Sequence, residues 1–238
     1  MKNNDVKFTL PMLEAPRTLR ICFKKLGNLQ YISHLDLQRT FSRVLVRAGL
    51  PLWYTKGYNP HIKMVFGLPL PVGSESVCEM LDIRIEREMS EAEVMARLNA
   101  ELTDELCVTA VYPAERKYAE IAFAEYEYTI HTSGADEALA DRVRAALQGP
   151  LPVVKKTKSG EREVDIAEGL LRAELRFEGG VLSLVVVLAA GEGRYISPEA
   201  LISALREKTG ILSGDPTTEH YRILRRRVLT ADGETEFK

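Results

Sequence analysis

Cysteine is scarce in this chain of 238 residues, which has only Cys22, Cys78 and Cys107. The three lie far apart, and the sequence contains neither a CxxC pair nor a CxxxCxxC run. Such spacing does not suit a disulfide framework, a self-contained zinc site or an iron–sulfur cluster held within one chain. We therefore expect three small buried thiols and no metal bound by this chain.

Long apolar runs are also missing. The most apolar stretch, residues 181–190, has the pattern of a strand, whereas a helix that spans a bilayer needs about 18 or more apolar residues. The N-terminus does not have the charged-then-apolar form of a secretory signal. We expect a cytoplasmic protein with no membrane partner.

Several signatures of catalytic loops are absent. The sequence has no Walker loop, no GxGxxG after a strand and no GxSxG, which argues against a P-loop nucleotidase, a dinucleotide-dependent dehydrogenase and a serine hydrolase. The glycines of Gly191-Glu-Gly-Arg-Tyr lack the spacing of a phosphate-binding loop.

Charge, by contrast, is abundant and unevenly distributed. The chain has a formal net charge of −2, yet residues 17–67 contain nine basic side chains and one acidic one, and residues 68–150 contain seven basic and seventeen acidic ones. The basic segment also contains four aromatic residues with polar groups and two histidines. Cations attract phosphates and flat rings stack on unpaired bases, so this composition favours a surface that binds nucleic acid.

The first half of the chain has the pattern β-α-β-β-α-β. Strands are predicted over residues 20–25, 50–55, 77–86 and 107–112, with an extended run over 64–70. A helix follows Ser33 as N-cap, with Asp36 three positions on as in a capping box, and ends at Gly49. A second helix follows Ser90, with Glu93 in the same relation.

The second half approximately repeats this order. Strands are predicted over residues 124–132, 171–178, 181–190 and 220–229, with helices over 136–147 and from Ser197-Pro198 to Gly210. Residues 153–166 have the pattern of an inserted hairpin, and Gly179-Gly180 predicts a tight turn. We expect an α+β protein of two tandem ferredoxin-like (βαββαβ) modules, over residues 17–115 and 123–230. Residues 1–16 are expected to be a flexible leader and 231–238 a tail.

The first predicted helix carries the strongest candidate for a binding surface. Arg39, Arg43 and Arg47 lie four residues apart, so they are expected to share one exposed face. Like charges at that spacing repel one another, which favours an anionic partner there. The loop that follows adds four candidate contacts to backbone or bases, namely Lys56, Tyr58, His61 and Lys63.

Two histidines suggest a catalytic alternative. Next to cations a histidine is disfavoured in its charged form, so His34 or His61 could act as a neutral base near pH 7. With Tyr31 or Tyr58, and with Lys56, it could form a metal-free site that cleaves RNA by general acid–base catalysis. In the competing interpretation His34 lies at a helix start and His61 contacts phosphate or backbone, with no catalytic residue in the chain.

Two further basic clusters could extend a groove for nucleic acid. On a strand alternate side chains share a face, so Arg225 and Arg227 are expected on one side and Arg226 on the other. The other cluster is Lys155, Lys156 and Lys158. Nearby glutamates could also simply balance these charges.

Several sequence motifs resemble those of a known family. They are Tyr31-Ile-Ser-His-Leu-Asp-Leu, Arg43-Val-Leu-Val-Arg-Ala-Gly-Leu-Pro51 and Lys56-Gly-Tyr-Asn-Pro-His-Ile-Lys63, followed by Met64-Val-Phe-Gly-Leu-Pro-Leu-Pro-Val-Gly73 and, later, Lys155-Lys-Thr-Lys-Ser-Gly. Together they resemble the radical-SAM-linked (radical-SAM-associated) protein family, a domain of unknown function, over most of the chain.

The resemblance implies an accessory role beside a separate cobalamin-type radical SAM enzyme, in the modification of RNA or a ribosome-related substrate. The iron–sulfur cluster, SAM and cobalamin would then belong to that partner enzyme, since this chain lacks the three-cysteine motif. At the level of fold the chain also resembles, more distantly, the repeat-RNA endonucleases of CRISPR systems.

The sequence therefore leaves three functions open. The first is a non-catalytic subunit that binds RNA or presents a substrate to the radical SAM enzyme. The second is a protein–protein adaptor of that enzyme which carries no nucleic acid. The third is a metal-free endoribonuclease that uses His34 or His61.

Overall fold

The computed structural model describes residues 10–157 and 160–238. The chain forms two compact units, with the boundary between Tyr118 and Ala119. Each unit combines antiparallel strands with two α-helices, so the protein belongs to the α+β class. In the described part of the chain no helix is long and apolar enough to cross a membrane.

The described residues of the first unit, 10–118, form four strands and two α-helices. In chain order they are β1 (Met12–Lys25), α1 (His34–Arg47), β2 (Met64–Phe66), β3 (Ser74–Arg87), α2 (Glu91–Asn99) and β4 (Leu106–Pro113). Antiparallel pairing gives the sheet order β4-β1-β3-β2 within this unit.

Alternation along β1 directs Leu19, Ile21 and Phe23 into the core of the first unit, where all three are completely buried. Helix α1 packs Phe41 and Leu45 into the same cluster. The ring centroids of Phe23 and Phe41 are 4.7 Å apart. Helix α1 is therefore fixed on the sheet by its apolar stripe, and its other face is left to solvent.

The predicted helix starts are confirmed. The Ser33 hydroxyl accepts a hydrogen bond from the Asp36 amide at 3.1 Å and donates one to its carboxylate at 2.7 Å. Ser90 caps α2 by accepting from the Glu93 amide at 3.2 Å. Gly49 follows α1 with a φ of 66°, a left-handed conformation that glycine adopts without strain.

The strand predicted over residues 50–55 is wrong as a regular strand. Leu52 and Tyr54 make only isolated bridges, to Ile85 and Ile62 respectively. The second strand of the first unit is instead the short β2. Strand β1 also begins at Met12, inside the segment expected as a flexible leader.

The second unit has more strands in its described residues than the first. Its strands and α-helices are β5 (Phe123–His131), α3 (Glu137–Leu147), β6 (Pro152–Thr157), β7 (Gly160–Asp165), β8 (Leu170–Glu178), β9 (Val181–Gly191), β10 (Arg194–Tyr195), α4 (Pro198–Thr209) and β11 (His220–Leu229). Its main sheet has the order β8-β9-β5-β11, with β10 paired to the end of β9. Strands β6 and β7 form the predicted inserted hairpin.

Local signals again place the turns of the second unit. Gly179 and Gly180 join β8 to β9 with φ values of 58° and 81°, as a two-residue hairpin turn requires. The segment expected as a tail packs on this unit, because Glu236 bridges to Leu229 and Phe237 is buried.

Candidate functional site

A groove of about 680 Å³ runs along helix α1 in the first unit. One wall is the C-terminal half of the helix, and the other is the segment from Tyr54 to Met64. Apolar side chains form its floor, namely Val46, Tyr54, Ile62 and Met64. Val46 and Tyr54 are 45% and 43% exposed, so the floor is open to a ligand. We call this feature the α1 groove.

Two arginines of the predicted ridge line the α1 groove, and they differ in their partners. The Arg47 guanidinium donates a hydrogen bond to the Glu101 carboxylate at 2.7 Å. Arg43 is exposed and makes no ion pair with any residue in the described ranges. The groove therefore has one guanidinium that is available to an anion and one that is partly neutralised.

Arg39, the third member of the ridge, does not line the groove. Its Nη1 lies 3.4 Å from Asp36, and its side chain is 63% exposed. The hydrogen bond from Ser33, more than the charge of Arg39, lowers the pKa of Asp36. Two of the three guanidinium groups therefore pair with the chain's own carboxylates, and phosphate contacts by the three remain a prediction.

His61 is held at the edge of the groove by the loop that carries it. The Thr55 amide donates a hydrogen bond to the His61 carbonyl at 2.9 Å. The His61 amide donates to the Thr55 hydroxyl at 3.1 Å. Nδ1 of His61 lies 3.3 Å from the Asn59 carbonyl, which can only accept. The Thr55 hydroxyl lies nearer to Nδ1, at 3.1 Å, and can either donate or accept a hydrogen bond.

The tip of the loop is solvent-exposed. Tyr58 has its side chain completely exposed, and Lys56 is exposed as well. Neither lines the α1 groove.

Lys63 is directed away from the α1 groove. Ile62 and Met64 line the groove, whereas Lys63 and Val65 line a different cleft. This follows from the alternation of side chains along an extended segment. Lys63 and His61 therefore line different cavities, and a contact of Lys63 with nucleic acid remains a prediction.

The proposed catalytic histidines are not brought together in the groove. His34 begins helix α1 and packs edge-on against Phe66, with ring centroids 4.9 Å apart. Tyr31, 67% exposed, precedes it. Of the two histidines only His61 lines the groove, so general acid–base chemistry there would need a second group other than His34.

The second unit does not present its basic cluster as expected. A bulge between Arg225 and Arg227 shifts the register with β5 and leaves Arg225 only 1% exposed. Arg227 binds the Glu125 carboxylate through both Nε and Nη2, which lowers the pKa of Glu125. The two arginines therefore do not share an exposed face, because a bulge redirects the side chains that follow it.

The lysine cluster can be placed only in part. Lys155 and Lys156 lie on β6, where their backbones pair with Arg162 and Glu161. Lys158 lies outside the described residues.

Two features of the groove escaped sequence reasoning. Val46 lies outside the apolar stripe of α1, and an apolar residue on the polar face is a signal that could have revealed the floor. Glu101 lies 54 residues after Arg47, and no local pattern connects them.

No group of three or more metal-ligating side chains occurs within the described ranges. The three cysteines, all of them described, are half-buried and form no disulfide. They are therefore more accessible than the buried thiols expected from the sequence.

Comparison with known proteins places the chain in a family. Residues 18–198 match a family described as an uncharacterized protein conserved in bacteria (DUF2344). Since the match spans well over half of the 238 residues, the chain belongs to this family. No functionally curated protein matches it.

Similar solved structures are remote. A crystal structure of an unknown protein from Galdieria sulphuraria aligns with a TM-score of 0.26 and 11% identity, over 89% of this chain and 99% of that one. A variant of DypB from Rhodococcus jostii RHA1 in complex with heme aligns with a TM-score of 0.21 and 11% identity, over 92% of this chain and 96% of that one. Neither likeness supports an inference about function.

Proposed function

We propose that the chain is a non-catalytic accessory protein that binds single-stranded RNA in the α1 groove and presents it to a separate enzyme. The observation that carries the proposal is the presence of the unpaired Arg43 beside an exposed apolar floor. A guanidinium binds phosphate through charge-assisted hydrogen bonds, and an apolar floor beside it suits the face of an unpaired base.

Tyr54 and Tyr58 fit a path for the RNA strand. A base that stacks on an exposed aromatic ring gains about 1–3 kcal/mol. Tyr54 is on the floor of the groove and Tyr58 is at the exposed loop tip, with Lys56 two residues earlier. The charge surplus of residues 17–67 would increase the rate of encounter with RNA at low salt.

The partner enzyme in this proposal is a cobalamin-type radical SAM protein. The support is the resemblance of the motifs at residues 31–37 and 56–73 to the radical-SAM-linked family. The iron–sulfur cluster, SAM and cobalamin would be bound by that enzyme. The modified substrate would be RNA or a ribosome-related molecule.

We also propose that both units are ferredoxin-like modules. Two observations support this assignment. The sheet orders are β4-β1-β3-β2 and β11-β5-β9-β8. In chain order, a helix follows the first and the third strand of each of these four-stranded sheets.

The RNA-binding proposal is tested by fluorescence anisotropy with a labelled single-stranded oligoribonucleotide over a series of salt concentrations. Each phosphate contact on a single strand contributes about 0.7 to the slope of log affinity against log salt. Arg43→Gln is therefore expected to weaken binding and to reduce the slope by about 0.7. Arg142→Gln, which changes an exposed helical arginine of the second unit, is the matched control and should behave as the wild type. Equal affinities and slopes for both variants and the wild type would reject the groove as the RNA site.

The adaptor function remains a second candidate, because the floor of the groove is apolar and Glu101 already offsets part of its charge. An apolar side chain of a partner protein, next to an acidic one, would suit the same groove. Purification at low salt from cells that express the radical SAM enzyme distinguishes the adaptor function from RNA binding. Co-purification without nucleic acid, lost on Val46→Asp, would favour the adaptor.

The ribonuclease alternative is tested with the same RNA samples. Incubation in EDTA and separation on a denaturing gel should leave the RNA intact if the protein only binds it. Cleavage that is abolished by His61→Ala would instead assign catalysis to the groove.

A further inference from the structure

The first unit contains a second concave site that shares no lining residue with the α1 groove. It has a volume of about 440 Å³, which is within the size range of small-molecule sites. Four basic side chains from three parts of the unit line it, namely Lys63, Arg84, Arg116 and Lys117. We call it the basic cleft.

Two acidic side chains also line the basic cleft, against four basic ones. The acidic ones are Asp82 and Glu115. Asp82 is already neutralised by Arg20, whose Nε and Nη2 donate to its two carboxylate oxygens at 2.8 and 2.9 Å. The cleft therefore keeps a surplus of positive charge.

Two of the cations are available to a ligand. Within residues 10–157 and 160–238, neither Lys63 nor Arg84 makes an ion pair with a carboxylate. The guanidinium of Arg84 lies 5.6 Å from the centre of the Trp53 ring, a contact that orients the group without neutralising it.

Arg20 and Tyr118 connect the wall of the cleft to strands β1 and β3. The Tyr118 hydroxyl donates to Asp82 at 2.6 Å, and Arg20 lies over the Tyr118 ring at 4.3 Å. Arg20 also donates to the Arg116 carbonyl at 2.8 Å. These contacts anchor the Arg116 carbonyl and the Tyr118 ring at the wall of the cleft.

A close approach of backbone and ring completes this wall. A Cβ placed on Gly67 would lie 2.5 Å from Cε1 of Tyr118. Glycine at this position therefore allows the tyrosine to pack directly on the segment that follows β2.

We infer that the basic cleft binds a small molecule through a phosphate or diphosphate group held by Lys63 and Arg84. Guanidinium and ammonium groups that converge on one cavity are the usual donors to phosphate oxygens, and such charge-assisted hydrogen bonds are the strong ones. The site is independent of the RNA proposal, because none of its residues lines the α1 groove.

The experiment is isothermal titration calorimetry of the full chain in low-salt buffer, with inorganic pyrophosphate and with ADP as probes. We expect saturable binding of pyrophosphate, weakened about tenfold or more by Arg84→Gln and by Lys63→Gln. ADP that binds more tightly than pyrophosphate would show that the cleft also accepts a nucleoside, and equal affinities would show that it recognises phosphate alone.

The controls separate this inference from the RNA proposal. Lys56→Gln changes a lysine of the same loop outside the cleft, and Arg43→Gln changes the α1 groove. Both should bind pyrophosphate as the wild type does. No saturable binding, binding unaffected by Arg84→Gln and Lys63→Gln, or citrate bound as tightly as pyrophosphate would overturn the inference.

Discussion

The ion pair between Arg20 and Asp82 is expected to be one of the most sensitive points of the first unit. The Arg20 side chain is 1% exposed, and two of its hydrogen bonds go to Asp82. Burial by itself would lower the pKa of Arg20, but the hydrogen bond to Asp82 and nearby charges raise it overall. In Asp82→Asn the guanidinium would stay charged and buried while losing its counter-ion.

The expected cost follows from the burial of the pair. Removing one partner of a buried ion pair typically costs about 3–5 kcal/mol, because the other charge is left uncompensated. The Asp82 side chain is 15% exposed, so water reaches one side of the pair. We therefore expect a loss near the lower limit, about 3 kcal/mol in the free energy of unfolding. Adding Arg20→Met to Asp82→Asn removes the stranded charge and should recover at least about 1 kcal/mol.

Urea denaturation followed by tryptophan fluorescence measures this loss of stability in the first unit of the structure. Trp53 is the only tryptophan in the chain and lies in the first unit, so its emission reports the unfolding of that unit. The slope m should be similar in all variants, so that midpoints compare directly. A loss below about 1 kcal/mol in Asp82→Asn, or a double variant less stable than Asp82→Asn, would refute the reasoning.

Three further predictions address other parts of the molecule. Glu101→Gln frees Arg47 from its ion pair. Because an exposed ion pair is worth about 0.2–1 kcal/mol and no longer competes with phosphate, RNA affinity in the anisotropy assay should rise about 1.5- to 5-fold. An unchanged affinity would contradict the role of Arg47. Burial and a hydrogen bond to a glutamate raise the pKa of Tyr221 from 10.0 to about 12. Because the folded state favours the neutral phenol, Tyr221 stabilises the protein fully below pH 10.0. This stabilisation is lost as the pH rises to about 12. In circular dichroism the stability of Tyr221→Phe should depend less on pH over this range, and an identical pH dependence would count against it. Gly67→Ala should lower the urea midpoint of the first unit by the equivalent of about 1–3 kcal/mol, because the new Cβ collides with Tyr118; an unchanged midpoint would show that the ring moves at no cost.

Local signals in the sequence were sufficient for much of the fold. Serine followed by an acidic residue three positions later placed the starts of α1 and α2, and the glycine pair placed the turn between β8 and β9. The strand predicted over residues 50–55 failed, because extended, apolar composition does not ensure a pairing partner. Only isolated bridges formed there, and the edge position of the first sheet went to β2.

The candidate site was predicted less completely. The sequence singled out Arg43, Arg47 and His61, and the structure places all three along one groove. The sequence could not show that Glu101 offsets Arg47, or that Lys63 lines a different cleft. The basic cleft was not predicted at all, because its cations come from segments that are separate in the chain.

What the sequence by itself determined was local: helix caps, turns, the order of strands and helices in each unit, and the concentration of positive charge in residues 17–67. These depend on neighbouring residues and on periods of two or 3.6 residues, which can be read along the chain. Only the tertiary structure decided which cations remain available, because ion pairing and burial depend on residues far apart in sequence. Arg20, Arg47 and Arg225 are alike as sequence letters, yet folding buries the first against Asp82, pairs the second with Glu101 and encloses the third beside a bulge.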